Sequence, residues 1–130
     1  MVIDTSALLA VLLQEADAGR VAAAIEAASP RLLSAASLLE ASIVIESRKG
    51  DAGGRELDLL IYRAAIEIMA VDAGQAELAR AAWRRFGKGR HPAGLNYGDC
   101  FAYALAKGRD LSLLYVGNDF ALTDVACALG

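Results

Sequence analysis

Short apolar runs recur along the chain at residues 2–3, 31–33, 68–71 and 113–116, each too brief for a helix and each followed by a polar or small residue. Between them, at 6–13, 18–28, 38–49, 55–65, 74–86 and 97–107, apolar residues repeat at three- and four-residue spacing, the period of amphipathic helices. Strands alternating with helices predict an α/β domain whose mainly parallel sheet is covered by helices on both faces, because parallel strands need crossovers and these are usually helical. Segments 50–54 and 87–94 read as the main loops. With 130 residues there is length for one domain spanning 1–130 and for no second core.

A sheet of this kind binds its ligands outside the carboxyl ends of the strands, often where the strand order reverses. Residues just after each apolar run are therefore the ones to inspect. Four acids stand out: Asp4 directly after the first run, Glu40 early in the third helix, Asp99 early in the sixth, and Asp119 just after the last run. Each also has a local explanation. Asp4 suits a helix N-cap, Ser37 with Glu40 spells a capping box, Asn96 with Asp99 has similar spacing, and Asn118-Asp119 suits a turn. Capping needs only one such residue per helix, at about 1 kcal/mol each, so it gives no reason for four acids at one edge. Converging carboxylates repel by about 4 kcal/mol per pair at 4 Å and an effective dielectric near 20, so either some are protonated or a cation sits among them. Oxygen donors without thiolates or imidazoles suit Mg²⁺ or Mn²⁺, which bind phosphate oxygens and lower the pKa of a bound water. Hydrolysis of a phosphodiester is the natural chemistry of such a set. It needs no histidine base, and the one histidine, His91, stands in a Gly- and Pro-containing loop.

Bulk composition narrows the partners. The hydrophobic fraction is 56% against 6% aromatic, so the core is built from Ala, Leu, Ile and Val. The early apolar run at 7–13 is far short of the roughly 20 residues that span a bilayer. The opening Met1-Val2-Ile3-Asp4 puts an acid where a secretory signal carries positive charge, so a cytoplasmic location without membrane attachment is expected. Cys100 and Cys127 have no CxxC spacing and read as packing residues. A net charge of −3 exerts no general pull on nucleic acid, so RNA contact has to come from a local patch. Arg80, Arg84, Arg85, Lys88, Arg90 and His91 form one within a short stretch. The simpler explanation for them is cations favoured near a helix C-terminus. Trp83 with Phe86 could form a base-stacking platform, but their helical spacing favours core or dimer packing.

Four segments together resemble the VapC-type toxins of the PIN-domain family. They are Met1-Val2-Ile3-Asp4-Thr5-Ser6-Ala7-Leu8, Ser34-Ala35-Ala36-Ser37-Leu38-Leu39-Glu40-Ala41-Ser42, Gly89 through Phe101 with its Asn96-Tyr97-Gly98-Asp99, and Leu113-Leu114-Tyr115-Val116-Gly117-Asn118-Asp119-Phe120. They occur in the family's order over nearly the whole chain. The resemblance implies a three-layer α/β/α sandwich, Mg²⁺- or Mn²⁺-dependent endoribonuclease activity, a homodimer, and neutralisation by a cognate VapB-type antitoxin. It carries the acidic site onto Asp4, Glu40, Asp99 and Asp119, and supporting positions onto Thr5, Ser6 and Asn118. Many relatives have two successive acids where this chain has Asn118-Asp119, so a single well-formed metal site is expected here. Placed beside that site, Arg85, Lys88, Arg90 and His91 become candidates for RNA phosphates. Asp72 reads as a helix cap, and Asp124 lies outside the acidic set.

Two other readings fit parts of the pattern. Asp4-Thr5-Ser6 is similar to the start of haloacid-dehalogenase phosphatases, but Ser6 stands where those enzymes carry a second Asp. A noncatalytic PIN-like module, binding RNA or protein with acids that only cap helices, is the alternative from a different class.

Overall fold

The computed structural model describes residues 1–130 in full. Its elements run β1 (Val2–Ile3), α1 (Thr5–Leu12), α2 (Ala18–Ala27), β2 (Leu32–Ser34), α3 (Ala35–Arg63), β3 (Glu67–Met69), α4 (Ala73–Phe86), α5 (Tyr97–Arg109) and β4 (Leu113–Leu114). The four strands form one sheet in the order β3-β2-β1-β4, and every pair is parallel.

Adjacent residues of the central strands point to opposite faces, which explains why both must be apolar. Val2, Leu32 and Leu113 pack against α4 and α5 through Ala79, Phe86, Ala102 and Leu105. Their neighbours Ile3, Leu33 and Leu114 pack with α1, α2 and α3 through Leu8, Val21, Ala41 and Ile45. Helices thus cover both faces, and the expected three-layer sandwich is the observed fold. No helix is long and apolar enough to cross a membrane.

The expected elements are all present, but several bounds differ. The third and fourth expected helices are one run, Ala35–Arg63, interrupted only by the backbone of Gly50 at φ 61°, ψ −153°. Segment 50–54 is therefore a kink rather than a loop. Gly50 adopts a positive φ that non-glycine residues rarely take. The third helix begins three residues earlier than its periodicity suggests, with Ser34 as its N-cap, accepting from the Ala36 N–H. Ser37 is accordingly not the cap of a Ser37–Glu40 box. It lies inside the first turn, its hydroxyl buried without a partner. The cap assignments for Asp4, Asp72 and Asn96 hold: each side chain accepts a backbone N–H of its helix. Both cysteines are free thiols.

Candidate metal centre

The chain winds from β1 outward to β2 and β3, then returns to place β4 on the other side of β1. The reversal lies between β1 and β4, the kind of crevice where parallel sheets bind ligands. Asp4 follows β1 directly, its N–H donating to the Leu114 carbonyl at 2.9 Å across that crevice. Its carboxylate accepts from the Ser6 N–H at 3.0 Å and the Ser6 hydroxyl at 2.6 Å. The same hydroxyl accepts from the Val116 N–H at 3.0 Å, so Ser6 joins Asp4 to the chain leaving β4. Thr5 turns elsewhere. Its hydroxyl donates to the Ser37 carbonyl at 3.3 Å and fastens α1 to α3.

Asp99 sits in the first turn of α5, oriented by a reciprocal capping box. Its N–H donates to Asn96 Oδ1 at 2.9 Å, and its Oδ2 accepts from the Asn96 N–H at 3.0 Å. Asp4 and Asp99 are only 5% and 7% exposed, and no Lys or Arg pairs with either. Burial pushes the Asp4 carboxyl up to about 6, opposed by the Ser6 hydrogen bonds and reinforced by the charge of Glu40. Burial pushes Asp99 up to about 7, opposed by the Asn96 amide and reinforced by Asp4, Asp119 and Glu40 in that order. The charges of the other three acids are thus all felt at Asp99. Glu40, half-buried on α3, rests its carboxylate against Gly98. A Cβ at that glycine would lie 2.8 Å from Glu40 Cδ and 3.0 Å from Oε1, closer still to Oε2. Asp119 and Asn118 lie on an exposed turn after β4, opened by Gly117 at φ 94°.

No three of these carboxylates close onto a common point at ligating distance. The outer two have the freedom to close it: Glu40 has a long rotatable side chain and Asp119 stands on an exposed turn. The donor chemistry fits a hard divalent cation. The set is all oxygen, and its two inner members are buried where neutralising charge is otherwise missing.

The basic stretch is more committed than its sequence suggests. Arg85 donates to Asp124 at 3.1 Å and lies over the Phe86 ring at 4.7 Å. Arg90 donates to the Arg84 carbonyl and stacks over Trp83, also at 4.7 Å. His91 accepts from the Ala93 N–H through Nδ1 and meets Phe86 edge-on. Lys88 alone of the four is exposed with an unengaged side chain. Its N–H donates to the Leu95 carbonyl at 2.9 Å, which holds it beside the Asn96 cap of α5. Gly98 is the site residue that sequence reading passed over. Its signal was the glycine between Tyr97 and Asp99 in a first helical turn, where glycine has no local purpose.

The profile of the PIN domain family matches residues 1–126. Ribonuclease VapC30 of Mycobacterium tuberculosis is 60% identical over 126 residues, covering 97% of this chain and 96% of its own. Ribonuclease VapC of Mycolicibacterium smegmatis is also 60% identical, covering 97% of this chain and 98% of its own. The crystal structure of Mycobacterium tuberculosis VapC20, described as a Sarcin-Ricin loop cleaving toxin, superposes with a TM-score of 0.76. It covers 96% of this chain and 95% of its own, at 18% identity, and so speaks for the fold.

Proposed function

Since the chain belongs to the PIN-domain family as a VapC-type ribonuclease toxin, we propose that Asp4, Glu40, Asp99 and Asp119 jointly hold Mg²⁺ or Mn²⁺ for endonucleolytic hydrolysis of cellular RNA. The observation that carries this reading is the pair of buried, unpaired carboxylates, Asp4 and Asp99, raised in pKa by burial and by the charges of their acidic neighbours. An ion bound there supplies Lewis acidity that activates water and offsets phosphate charge. Ser6 fixes Oδ2 of Asp4 through its two hydrogen bonds, and the Asn96 N–H fixes Oδ2 of Asp99. Thr5 supports the site indirectly by anchoring α1, and Asn118 precedes Asp119 on its turn. Lys88 is the cation left free to meet a phosphate beside α5, with Arg90 and His91 shaping its loop and Arg85 engaged with Asp124 instead.

The test is cleavage of total RNA by the purified, partner-free chain with Mg²⁺, Mn²⁺ or chelator, against Asp4→Asn and Glu40→Gln. Both substitutions keep a hydrogen-bonding side chain of the same shape and remove the charge. Metal-dependent cutting by the parent and folded, inactive variants are expected, and Lys88→Ala should bind RNA more weakly with a shallower salt dependence. Cutting in chelator, or by either carboxylate variant at the parental rate, contradicts the reading.

A VapB-type antitoxin and a second copy of the chain complete the proposal, acting in the cytoplasm. Leu39 and Ile43 on α3, Tyr97 and Phe101 on α5 and Trp83 on α4 form an apolar strip beside Glu40 and Gly98, with Tyr97 82% exposed. A strip of that kind on a lone chain marks an interaction surface. Sedimentation should give a two-chain mass that Ile43→Glu reduces to one, and a one-chain mass for the parent excludes the homodimer.

A further inference from the structure

Asp119 lies in a segment, 115–125, that contains neither helix nor strand. Its internal bonds, Ala121 N–H to the Asn118 carbonyl and Thr123 N–H and hydroxyl to the Phe120 carbonyl, shape turns but attach nothing to the body. Attachment comes at its start from the Val116 N–H, which donates to the Ser6 hydroxyl, and beyond Asp119 from buried Phe120 and Val125 and from Asp124. One Asp124 oxygen accepts the Tyr103 hydroxyl, and the other accepts from Arg85 at 3.1 Å and faces Lys107 at 3.4 Å. The Arg85 and Lys107 pairs are half-exposed and contribute little. The Tyr103 bond differs because its donor is buried and directional. Tyr103 stands one helical turn after Asp99, on the same face of α5. The helix face that carries one acid of the centre is thus latched to the segment that carries another.

We propose that Asp124, held by Tyr103, is a positioning residue that sets Asp119 in register with Asp99 for cation binding. This rests on the assignment of Asp119 to the metal centre. Tyr103→Phe deletes one hydroxyl and leaves the packed ring in place. Mn²⁺ affinity, measured by calorimetry on the full chain, should weaken about tenfold, the scale of losing an orienting partner behind a ligand. Amide hydrogen exchange at 117–121 should quicken without added metal, while that of α5 stays as in the parent. Asp124→Ala, which removes the acceptor, should behave alike. In an Asp119→Asn background, Tyr103→Phe should cost no further Mn²⁺ affinity, because the latch acts through a carboxylate already removed. A full additional loss in that background, or parental affinity in Tyr103→Phe alone, overturns the proposal. Parental affinity in Asp119→Asn alone instead overturns the assignment of Asp119 itself, and the latch's purpose with it.

Discussion

Asp99→Asn should be more stable than the parent and inactive. The parental carboxyl is pushed from its ordinary 3.8 to about 7 by burial first and neighbouring acids second. A raised carboxylate pKa means that the folded chain keeps a proton the unfolded chain has released. Stability from this group is therefore greatest below about pH 4, falls as pH rises through the window to about 7, and is flat above it. Asp4, raised to about 6, adds a slope of the same sign that ends earlier. A tenfold change in an acid constant is worth about 1.4 kcal/mol. After relaxation and the cost of burying an amide, the net gain for Asn at pH 8 should be about 2 kcal/mol, or roughly 5–10 °C in Tm. At pH 5 the gain should shrink towards zero. Asn can still accept the Asn96 N–H, so the cap survives. Cleavage should fall about 10³-fold, the scale of removing one electrostatic group from a hydrolytic site. Thermal denaturation at pH 5 and 8 in chelator checks this, and a variant less stable than the parent at pH 8 would sink it.

Gly98→Ala should separate folding from activity in the opposite way. The three atoms nearest the new methyl all belong to the end of the Glu40 side chain, with which it would collide. Glu40 can swing away at small cost, and alanine in place of glycine contributes up to about 1 kcal/mol to a helix. The variant should melt within a few degrees of the parent. Its RNA cleavage should nevertheless fall about 100-fold, matching Glu40→Gln, because the displaced carboxylate no longer faces Asp4 and Asp99. Parental cleavage by a folded Gly98→Ala chain would mean that Glu40 is not needed where it rests.

These two cases also show what the sequence disclosed. The doublets Val2-Ile3, Leu32-Leu33 and Leu113-Leu114 announce buried parallel strands, because each member has a face of the sheet to fill. Caps at Asp4, Asp72 and Asn96 were legible because their bonds close within three residues. Spacing favours Ser37, which has Glu40 three residues on, yet the helix is capped by Ser34, where the chain leaves β2. Gly50 looked like the start of a loop, yet the helix resumes past it because its flanking halves share the core of Ala41, Ile45 and Leu57. Long-range pairings were beyond reach. Arg85 meets Asp124 39 positions away, and nothing local in either residue signals it. Gly98 beneath Glu40 is the same kind of fact, a contact between two helices distant in the chain.

Whether the four carboxylates form one cation site can be read from the protons released when Mn²⁺ binds. Metal must displace the protons that Asp99 and Asp4 retain. Calorimetric titration in buffers of different ionisation heat should give proton release that grows as pH falls from 8 to 5.5, with the pH dependence much reduced in Asp99→Asn. Binding without proton release, or release unchanged in Asp99→Asn, would show that any cation binds elsewhere and would contradict the account.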